Sequence, residues 1–326
     1  MSTPKISINI VTYNGLKYLP HCLSSIKNQT FGDYQVLIID NNSQDESLDF
    51  IQQNYPEFKI LENKENLGFA RAHNLGIDQN ESEYILCLNQ DIILEPNFLE
   101  EVIDFLDTNP KVGSVTSKLY FWDFKNQQKT NQIDSLGLKI SKTFKISDIS
   151  QGELDQNESN QPREIFGVSG AAPIYRRQAL ESIKLDGQYF DEDFFMYKED
   201  VDLAFRLHFA GWQAFMISNA KAYHDRSLKS DANLVQNRQQ RSAFGNYYSY
   251  RNHLFVLLKN VDLTTFCLYF PYIIGYEIAK LGYLIIFERK TLPAIIDFFK
   301  NFAKVWKKRK IIQKTAKIKQ IRCWIK

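Results

Sequence analysis

The stretch Tyr84–Leu94 reads YILCLNQDIIL, an apolar run that three polar side chains interrupt. Its first part, Tyr84–Leu88, is short, continuous and apolar, which predicts a buried strand. Asn89, Gln90 and Asp91 follow, and each of these side chains requires water, a ligand or a hydrogen-bond partner. The interruption therefore indicates a binding site where the strand ends.

Strand-like and helix-like segments alternate through the first hundred residues. The predicted strands are Ile6–Thr12, Gln35–Ile39, Lys59–Leu61 and Tyr84–Leu88, and the predicted helices are Leu16–Lys27, Ser47–Asn54, Leu67–Asp78 and Pro96–Thr108. This alternation predicts an α/β fold with a mainly parallel central sheet and helices on both faces. In such sheets ligands bind at the carboxyl ends of the strands.

Three polar clusters follow three of these predicted strands. They are Thr12-Tyr13-Asn14, Asp40-Asn41-Asn42-Ser43 and Asn89-Gln90-Asp91. Asp40 or Ser43 could alternatively cap the helix that follows. Three clusters at one edge of one sheet favour a shared ligand site over separate caps.

The chain has 326 residues, of which 44% are hydrophobic and 24% are charged, and this composition is typical of a globular protein. Its four cysteines lie far apart without a C-x-x-C pair, which argues against a zinc site and against a secreted disulfide framework. The N-terminus has no basic segment followed by an apolar one, so no secretory signal is visible. We expect a protein of the reducing cytosol.

The C-terminal third is apolar and then strongly basic. Phe266–Phe287 is long enough to span a membrane, but it contains Pro271, Glu277 and Lys280, the last two able to bridge to each other on one helical face. Lys304–Lys326 contains ten Lys or Arg and no Asp or Glu, so the rest of the chain carries −8 against a total of +2. This pattern predicts helices lying on or dipping into an anionic inner leaflet. The alternatives are a solvated helix, a nucleic-acid contact, or a helical cap packed on the body of the chain.

Two internal segments give different signals. Asp123–Arg163 is polar with weak alternation, and we expect a hairpin or mobile loop there rather than core. Tyr189–Gly211 crowds carboxylates beside aromatic residues ahead of a helix over Val201–Ala210, with Asp200 as its cap and Gly211 as its end. Within that helix, Asp202 and Arg206 stand one turn apart and predict a structural pair.

Taken together, these motifs resemble a known family. The matching residues are Val11–Asn14, Asp40–Ser43, NLGFARAHNLG at Asn66–Gly76, Asn89–Asp91, FDEDFFMYKEDVDL at Phe190–Leu203, and His224. Over about residues 6–260 the chain resembles the inverting nucleotide-sugar glycosyltransferases of family two, which have the GT-A fold. It is most similar to their bacterial rhamnosyltransferase-like branch.

The resemblance implies a donor site at the first polar clusters. It assigns the donor nucleotide and sugar to Thr12, Tyr13, Asn14, Asp40, Asn42, Asn66, Gly68, Arg71, Asn74, Asn89 and Gln90. Asp40 suits a proton-bearing ring nitrogen of uracil or thymine, because a carboxylate only accepts hydrogen bonds. Arg71 and Asn74 would reach the ribose or diphosphate, although Arg71 could be an ordinary surface arginine.

The resemblance also implies a divalent cation, Mg²⁺ or Mn²⁺, on the donor diphosphate. Asn89-Gln90-Asp91 stands where the family has D-x-D, so Asp91 would be a direct ligand, while Asn89 removes one negative charge. His224 would be the second protein ligand, or else a structural histidine.

The acid–base position falls on Glu199-Asp200. Asp200 would take the proton of the acceptor hydroxyl, with Glu199 the alternative base, and crowding would raise one pKa toward neutrality. Gly170 and Ala171 would form part of the acceptor-side wall. The implied division is a GT-A domain over 1–235, with donor binding over about 1–110 and the acceptor side over about 111–235, followed by a helical basic extension over 236–326.

The resulting prediction is an enzyme that transfers a sugar with inversion, L-rhamnose from dTDP-rhamnose in the first instance, to a saccharide acceptor. Proximity to the membrane favours a lipid-linked acceptor in bacterial surface polysaccharide synthesis, with a cytoplasmic enzyme held peripherally at the inner membrane and no nucleic-acid partner. UDP- or GDP-hexose donors stay open, as does a nucleotide-sugar-binding subunit without activity. Nucleotidyl transfer is disfavoured, because Thr12-Tyr13-Asn14-Gly15 is no glycine-rich phosphate loop.

Overall fold

The computed structural model describes residues 3–156, 161–225, 242–315 and 319–326, without the side chains of residues 315, 319 and 320. The strands are β1 Ile6–Thr12, β2 Tyr34–Asp40, β3 Lys59–Glu62, β4 Tyr84–Asn89, β5 Ile92–Leu94, β6 Val112–Asp123, β7 Gln128–Ser135, β8 Leu138–Ile140, β9 Ile146–Asp148, β10 Arg163–Ile165, β11 Ile174–Arg176 and β12 Gln213–His224. The helices are α1 Leu19–Lys27, α2 Ser47–Asn54, α3 Gly68–Asp78, α4 Phe98–Thr108, α5 Arg177–Ser182, α6 Glu199–Ala210, α7 Ala243–Asn260, α8 Leu263–Phe287, α9 Pro293–Thr315 and α10 Lys319–Arg322, with 3₁₀ turns at Glu192–Phe194 and Arg289–Thr291.

Ten strands form one twisted sheet in the order β10-β12-β6-β11-β4-β1-β2-β3, with β5 and β7 attached to β12 and β6. Strands β4, β1, β2 and β3 run parallel to one another, and β6 runs parallel to β12. Strand β11 joins the two groups and is antiparallel to β4 and β6, while β5, β7 and β10 are antiparallel to their partners. The register aligns Thr12 with Asp40 and Val11 with Asn89. The three predicted polar clusters therefore begin at one edge of the sheet.

Both faces of the sheet are covered, as the strand alternation requires. Ile6, Ile8 and Ile10 of β1 pack with α1 and α4 on one face. On the other face, α3 and α6 pack against residues of β2 and β4, and Leu37 and Ile39 contact the side of α3 that carries Ala72. The predicted fold class and the elements of the first hundred residues are confirmed, with three of the four helix starts moved by one to three residues. Helix α1 begins at Leu19 because Gly15–Tyr18 forms a hydrogen-bonded turn.

The prediction of a hairpin within Asp123–Arg163 is confirmed, but the expectation that this segment lies outside the core is wrong. Strand β7 extends the main sheet, and β8 with β9 forms a hairpin of its own. Ile133, Leu138, Ile140, Phe144 and Ile146 are buried. Ile133 packs with Tyr120 and Tyr223. The other four pack with α6, α7 and the C-terminal helices, which lie far away in sequence and which the weak local alternation could not reveal. Residues 157–160 lie outside the described part of the chain.

The C-terminal helices dock on the body of the chain through part of their basic surface. Lys308 of α9 binds Asp191 and Asp193, and Lys304 also binds Asp193. Arg309 donates to the carbonyl oxygens of Leu258 and Val261 at 2.6 Å. Part of the predicted helical extension therefore packs on the body of the chain, which agrees with the alternative of a helical cap. The predicted boundary at 235/236 falls outside the described residues.

Candidate functional site

The loop after β1 is held by the turn after β4. The Thr12 hydroxyl donates to Gln90 Oε1 at 2.6 Å, and the Tyr13 amide donates to the same oxygen at 3.0 Å. Gln90 Nε2 lies 3.4 Å from the Tyr13 carbonyl. Thr12 is fully buried. Thr12 and Gln90 therefore join the two loops, and the assignment of both to the donor stays a prediction.

Asp40 lies almost fully buried at the end of β2, with both carboxylate oxygens bonded to Ser43. The Ser43 amide donates to one oxygen at 3.1 Å and its hydroxyl to the other at 2.5 Å. Ser43 Oγ in turn accepts from the Asn14 amide at 3.0 Å, which links this turn to the β1 loop. Neither Asp40 nor Ser43 caps α2, since Asp45 binds the Ser47 amide there.

The start of α3 packs against the acidic loop that precedes α6. Gly68 is buried with φ +73°, and a Cβ there would lie 2.5 Å from the Phe195 carbonyl oxygen. The need for glycine thus comes from this contact rather than from a ligand. Asn74 is also buried, and it exchanges two 2.8 Å hydrogen bonds with the backbone of Phe190. Its amide therefore fixes the loop, and its contact with the donor stays a prediction.

The other predicted donor residues at this edge are open to solvent. Those exposed are Tyr13, Asn14, Asn42, Asn66 and Arg71. Asn14 and Asn42 have φ of 50° and 65°, a left-handed conformation that asparagine adopts more readily than most residues. The Arg71 guanidinium lies 3.9 Å from Glu192, at the distant limit of an ion pair. A shallow polar rim therefore borders the end of the parallel strands.

Asp91 and His224 meet where β5 pairs with β12. His224 Nε2 lies 3.4 Å from Asp91 Oδ2, and His224 Nδ1 lies 2.7 Å from Asp134 Oδ2. Burial lowers the pKa of His224, but the charges of Asp91 and Asp134 outweigh it and raise that pKa to about 10. The predicted metal residues are thus brought together in a site that favours positive charge.

Asp134 is the residue that fixes this imidazole. Its carboxylate accepts a hydrogen bond from Nδ1–H, so that once Nε2 loses its proton the Nε2 lone pair faces Asp91, which is the arrangement of many metal-binding histidines. The donor set therefore fits a divalent cation. Among the residues that the structure describes, no third His, Cys, Asp or Glu joins these two as a ligand.

Glu199 and Asp200 form a buried carboxylate pair at the start of α6. The Gly170 amide donates to Asp200 Oδ2 at 3.0 Å, and the Val201 amide donates to Oδ1 at 2.7 Å. Glu199 Oε2 is buried and has no hydrogen-bond partner within the described residues. Burial and then the charge of Asp200 raise the pKa of Glu199 to about 8, and burial raises the pKa of Asp200 as well.

The backbone before this pair is strained, and this corrects the predicted cap. Phe195, Tyr197 and Lys198 all have positive φ, from 56° to 71°, which is unfavourable for these side chains. Helix α6 begins at Glu199 with Lys198 as its N-cap, so Asp200 lies inside the first turn. Asn252 Nδ2 holds the loop by donating to the carbonyls of Phe194, Met196 and Tyr197 at 2.7–2.8 Å. Gly211 ends the helix with φ +92°, as predicted.

A cleft of about 660 Å³ joins these parts. The predicted site residues that line it are Asn89, Gly170, Ala171, Glu199, Asp200 and His224. A Cβ on Gly170 would lie 3.4 Å from Asp200 Oδ2 and 3.6 Å from Glu199 Oε1, so this backbone passes close to both carboxylates. The far wall comes from the β8–β9 hairpin, α7 and α8.

Sequence reasoning missed several residues of this region. Asp134, Asn252 and Lys259 act on site residues from segments that carry no recognisable motif. Lys259 is almost fully buried and binds Asp191 at 2.5 Å and Asp202 at 2.8 Å. A lysine inside the apolar helix α7 was the one available signal, since a buried lysine requires an acidic partner.

Comparison with known proteins gives a consistent family. The sequence model described as Glycosyl transferase family 2 matches residues 7–184. The chain is 28% identical over 217 residues to the putative glycosyltransferase EpsH of Bacillus subtilis, a match that covers 64% of this chain and 57% of EpsH. It is 26% identical over 245 residues to an N-acetylglucosaminyl-diphospho-decaprenol L-rhamnosyltransferase of Mycobacterium tuberculosis, covering 69% of this chain and 77% of that protein.

Solved structures share the fold at low sequence identity. GalNAc-T7 with UDP, GalNAc and Mn²⁺ superimposes with a TM-score of 0.61 at 13% identity, over 79% of this chain and 48% of that one. The mannosyltransferase PcManGT of Pyrobaculum calidifontis, with GDP-Man and Mn²⁺, gives 0.54 at 16% identity, over 93% and 76%. The predicted GT-A fold is confirmed.

Proposed function

The chain belongs to glycosyl transferase family 2, and from that premise we propose that it transfers a sugar from a nucleotide-sugar donor to a saccharide acceptor with inversion. The observation that carries this proposal is the buried Glu199–Asp200 pair, which lines one cleft with Asn89 and His224. Glu199 Oε2 accepts no hydrogen bond within the described residues, and the charge of Lys198 does not offset the burial that raises the pKa of this carboxyl. Such a pair suits proton transfer near neutral pH.

Asp200 is the proposed base. Its two backbone hydrogen bonds orient the carboxylate while leaving lone pairs for the acceptor hydroxyl. In a single displacement, the acceptor oxygen gives its proton to Asp200 and attacks the anomeric carbon opposite the leaving diphosphate. Glu199, whose pKa is raised to about 8, holds a proton near neutral pH and lies beside Asp200 as a positioning residue.

The donor occupies the edge formed by the β1, β2 and β4 loops. We assign the nucleotide to Tyr13, Asn14, Asp40 and Asn42, with Asp40 accepting from a pyrimidine ring nitrogen. Asn66, Arg71 and Asn89 are the remaining polar groups of the donor side. Thr12, Gly68, Asn74 and Gln90 support this edge from behind.

Asp91 and His224 would hold the divalent cation, Mg²⁺ or Mn²⁺. When bound, such a cation neutralises the charge that develops on the leaving diphosphate. Asp134 keeps the imidazole of His224 in the tautomer that this contact requires. Asn89 contributes no charge, so Asp91 becomes the essential ligand of the strand end.

The C-terminal helices are the proposed membrane contact, as a helical extension to the GT-A domain. Helix α8 is long and apolar enough to cross a membrane, and only 11% of its most apolar window is buried. In α9, apolar residues share one exposed face: Ile296, Phe299, Phe302 and Trp306. Lysines flank this stripe, which is typical of a helix that lies in a membrane interface. We propose a cytoplasmic enzyme held peripherally at the inner membrane.

We propose the acceptor from the position of α8 beside the cleft, and the donor from one relative of known name. A saccharide on a lipid carrier would meet the cleft where α8 lines it, in bacterial polysaccharide synthesis. One relative is named as an L-rhamnosyltransferase acting at a diphospho-decaprenol, which supports dTDP-rhamnose as the first donor to test.

The test is a screen of dTDP-rhamnose and UDP- and GDP-hexoses with Mg²⁺ or Mn²⁺ and candidate saccharide acceptors, with product configuration read by NMR. We expect one donor to give product of inverted configuration, and EDTA to abolish turnover. Binding of a nucleotide sugar without turnover of any donor would instead favour a nucleotide-sugar-binding subunit. A product of retained configuration would contradict the mechanism.

A further inference from the structure

The cleft continues beyond the carboxylate pair to a wall of different character. Helices α7 and α8 and the β8–β9 hairpin contribute this wall, and the residues concerned are Lys145, Tyr250, His253, Tyr276, Lys280 and Tyr283. The wall is aromatic and cationic, whereas Asp148, Glu199 and Asp200 form an acidic group, since the charge of Asp148 raises the pKa of Asp200.

Lys145 is an uncompensated cation in this wall. It is partly buried, and among the residues that the structure describes no carboxylate forms an ion pair with it. Burial, and then the nearby charge of Lys139, lower its pKa. A partly buried ammonium without a partner is costly. An anion in the cleft would remove that cost.

Further cations lie where the cleft meets α8. Lys280 lines the cleft from α8 itself, with Nζ 4.8 Å from the Tyr283 ring centroid. The hairpin touches the same helix, because Phe144 packs on Tyr269 and Lys142 Nζ lies 5.6 Å from the Tyr272 centroid. Beyond this junction α8 exposes apolar residues, among them Ile278 at 67%. Cations thus stand between a polar cleft and an apolar surface.

We propose that Lys145 and Lys280 bind the phosphate of an acceptor that carries its saccharide on a lipid. The saccharide then reaches Asp200, the phosphate lies between the lysines, and the lipid follows α8. This inference rests on the proposed function and adds a second anion site to it, separate from the donor diphosphate at Asp91 and His224. A membrane phospholipid headgroup offers the same phosphate chemistry, and the test distinguishes the two.

The first experiment compares one saccharide on two carriers, a polyprenyl diphosphate and a neutral alkyl glycoside. For Lys145→Gln and Lys280→Gln we expect KM for the diphosphate acceptor to rise about tenfold or more, since a charge-assisted hydrogen bond is lost. KM for the neutral acceptor should not change. Lys139→Gln is the matched control, because Lys139 is exposed on the same hairpin and does not line the cleft. If the KM values for the two acceptors rose equally, or if neither KM changed, the inference would be overturned.

A binding experiment separates this inference from the proposed function. Farnesyl diphosphate is titrated into the full-length protein by calorimetry, in parallel with sedimentation on phosphatidylglycerol vesicles. We expect Lys145→Gln to weaken farnesyl diphosphate binding about tenfold and to leave vesicle binding unchanged. This result would stand even if no donor were turned over. Absence of binding to the unmodified protein, or weakening of vesicle binding alone, would refute the inference.

Discussion

Two pairs of buried carboxylates lie within twelve residues of each other and have opposite environments. Asp191 and Asp202 are both bound by Lys259, and Arg206 and Lys308 supply further charges at 2.5–2.9 Å. Strong pairing outweighs burial and holds the pKa of each carboxyl below its usual value. The first pair is therefore ionised at any physiological pH.

Glu199 is nearly as buried as the first pair and Asp200 is partly buried, but neither forms an ion pair within the described residues, and the charge of Lys198 only partly offsets their burial. Burial therefore dominates, and their pKa values rise. Because the two groups interact, the pair shares its titration, and the observed values will belong to both. The carboxylates of Asp191 and Asp202, which form ion pairs, therefore hold the loop, whereas those of Glu199 and Asp200, which form none within the described residues, are available for proton transfer.

The largest expected effect is on turnover when the second pair is changed. Asp200→Asn keeps the shape of the side chain but removes the base, so kcat should fall about 10²–10⁴-fold. Asp186→Asn, at an exposed position in the preceding turn, is the control and should retain full activity. If Asp200→Asn kept near-normal turnover, Asp200 would not be the base, and the role would belong to Glu199 or to neither carboxylate.

The next largest effect is on stability when the first pair is changed. Asp191→Asn leaves Lys259 and Lys308 with too little negative charge in a buried site, and the free energy of unfolding should fall by about 3–5 kcal/mol. Urea unfolding followed by circular dichroism measures this change. An unchanged urea midpoint would mean that the ion pairs of Asp191 do not stabilise the loop.

A smaller effect of opposite sign is expected from Glu199→Gln. The folded protein binds the Glu199 proton more tightly than the unfolded chain, whose glutamate pKa is about 4.3. The contribution of Glu199 to stability is complete below that value and is lost as the pH rises through about 8. The variant should therefore gain stability over the unmodified protein between pH 5 and pH 9, by about 1–3 kcal/mol. Parallel urea midpoints across that range would contradict the raised pKa.

The smallest expected effect comes from Gly170→Ala. A methyl group there would lie 3.4 Å from Asp200 Oδ2, a tight but tolerable contact, and Gly170 has no positive φ to lose. We expect the acceptor KM to change two- to fivefold, which corresponds to about 1 kcal/mol or less of binding free energy, while the fold stays intact. A loss as large as that of Asp200→Asn would mean that Gly170 is part of the catalytic machinery.

The two carboxylate pairs also mark how far sequence reasoning reaches. The strand and helix pattern of the first hundred residues was readable because each element has its own hydrophobic period, and parallel topology then brought Thr12, Asp40 and Asn89 to one edge. The Asp202–Arg206 pair was readable because its partners are one helical turn apart. Local spacing is sufficient in both cases.

The remaining parts depend on contacts between distant residues. Lys259 is 68 residues from Asp191, and Asp134 is 90 residues from His224. Nothing near these residues in sequence marks them, so the ion pairs of Asp191 and Asp202, the lack of ion pairs at Glu199 and Asp200 within the described residues, and the burial of the predicted hairpin were not foreseeable. For the same reason, the prediction that Asp200 caps α6 failed, because the cap depends on Lys198 in a left-handed conformation that Asn252 supports.

We infer that Glu199 retains a proton near neutral pH, whereas Asp191 and Asp202 are ionised. Carboxyl ¹³C NMR of glutamate-labelled protein, titrated from pH 4 to pH 10 with Glu199→Gln for assignment, tests it most directly. The account predicts one glutamate that titrates near pH 8 and is missing from the variant. If every glutamate titrated with a pKa near 4.3, the ordinary value, the pair would be ionised like its neighbours and the account would be wrong.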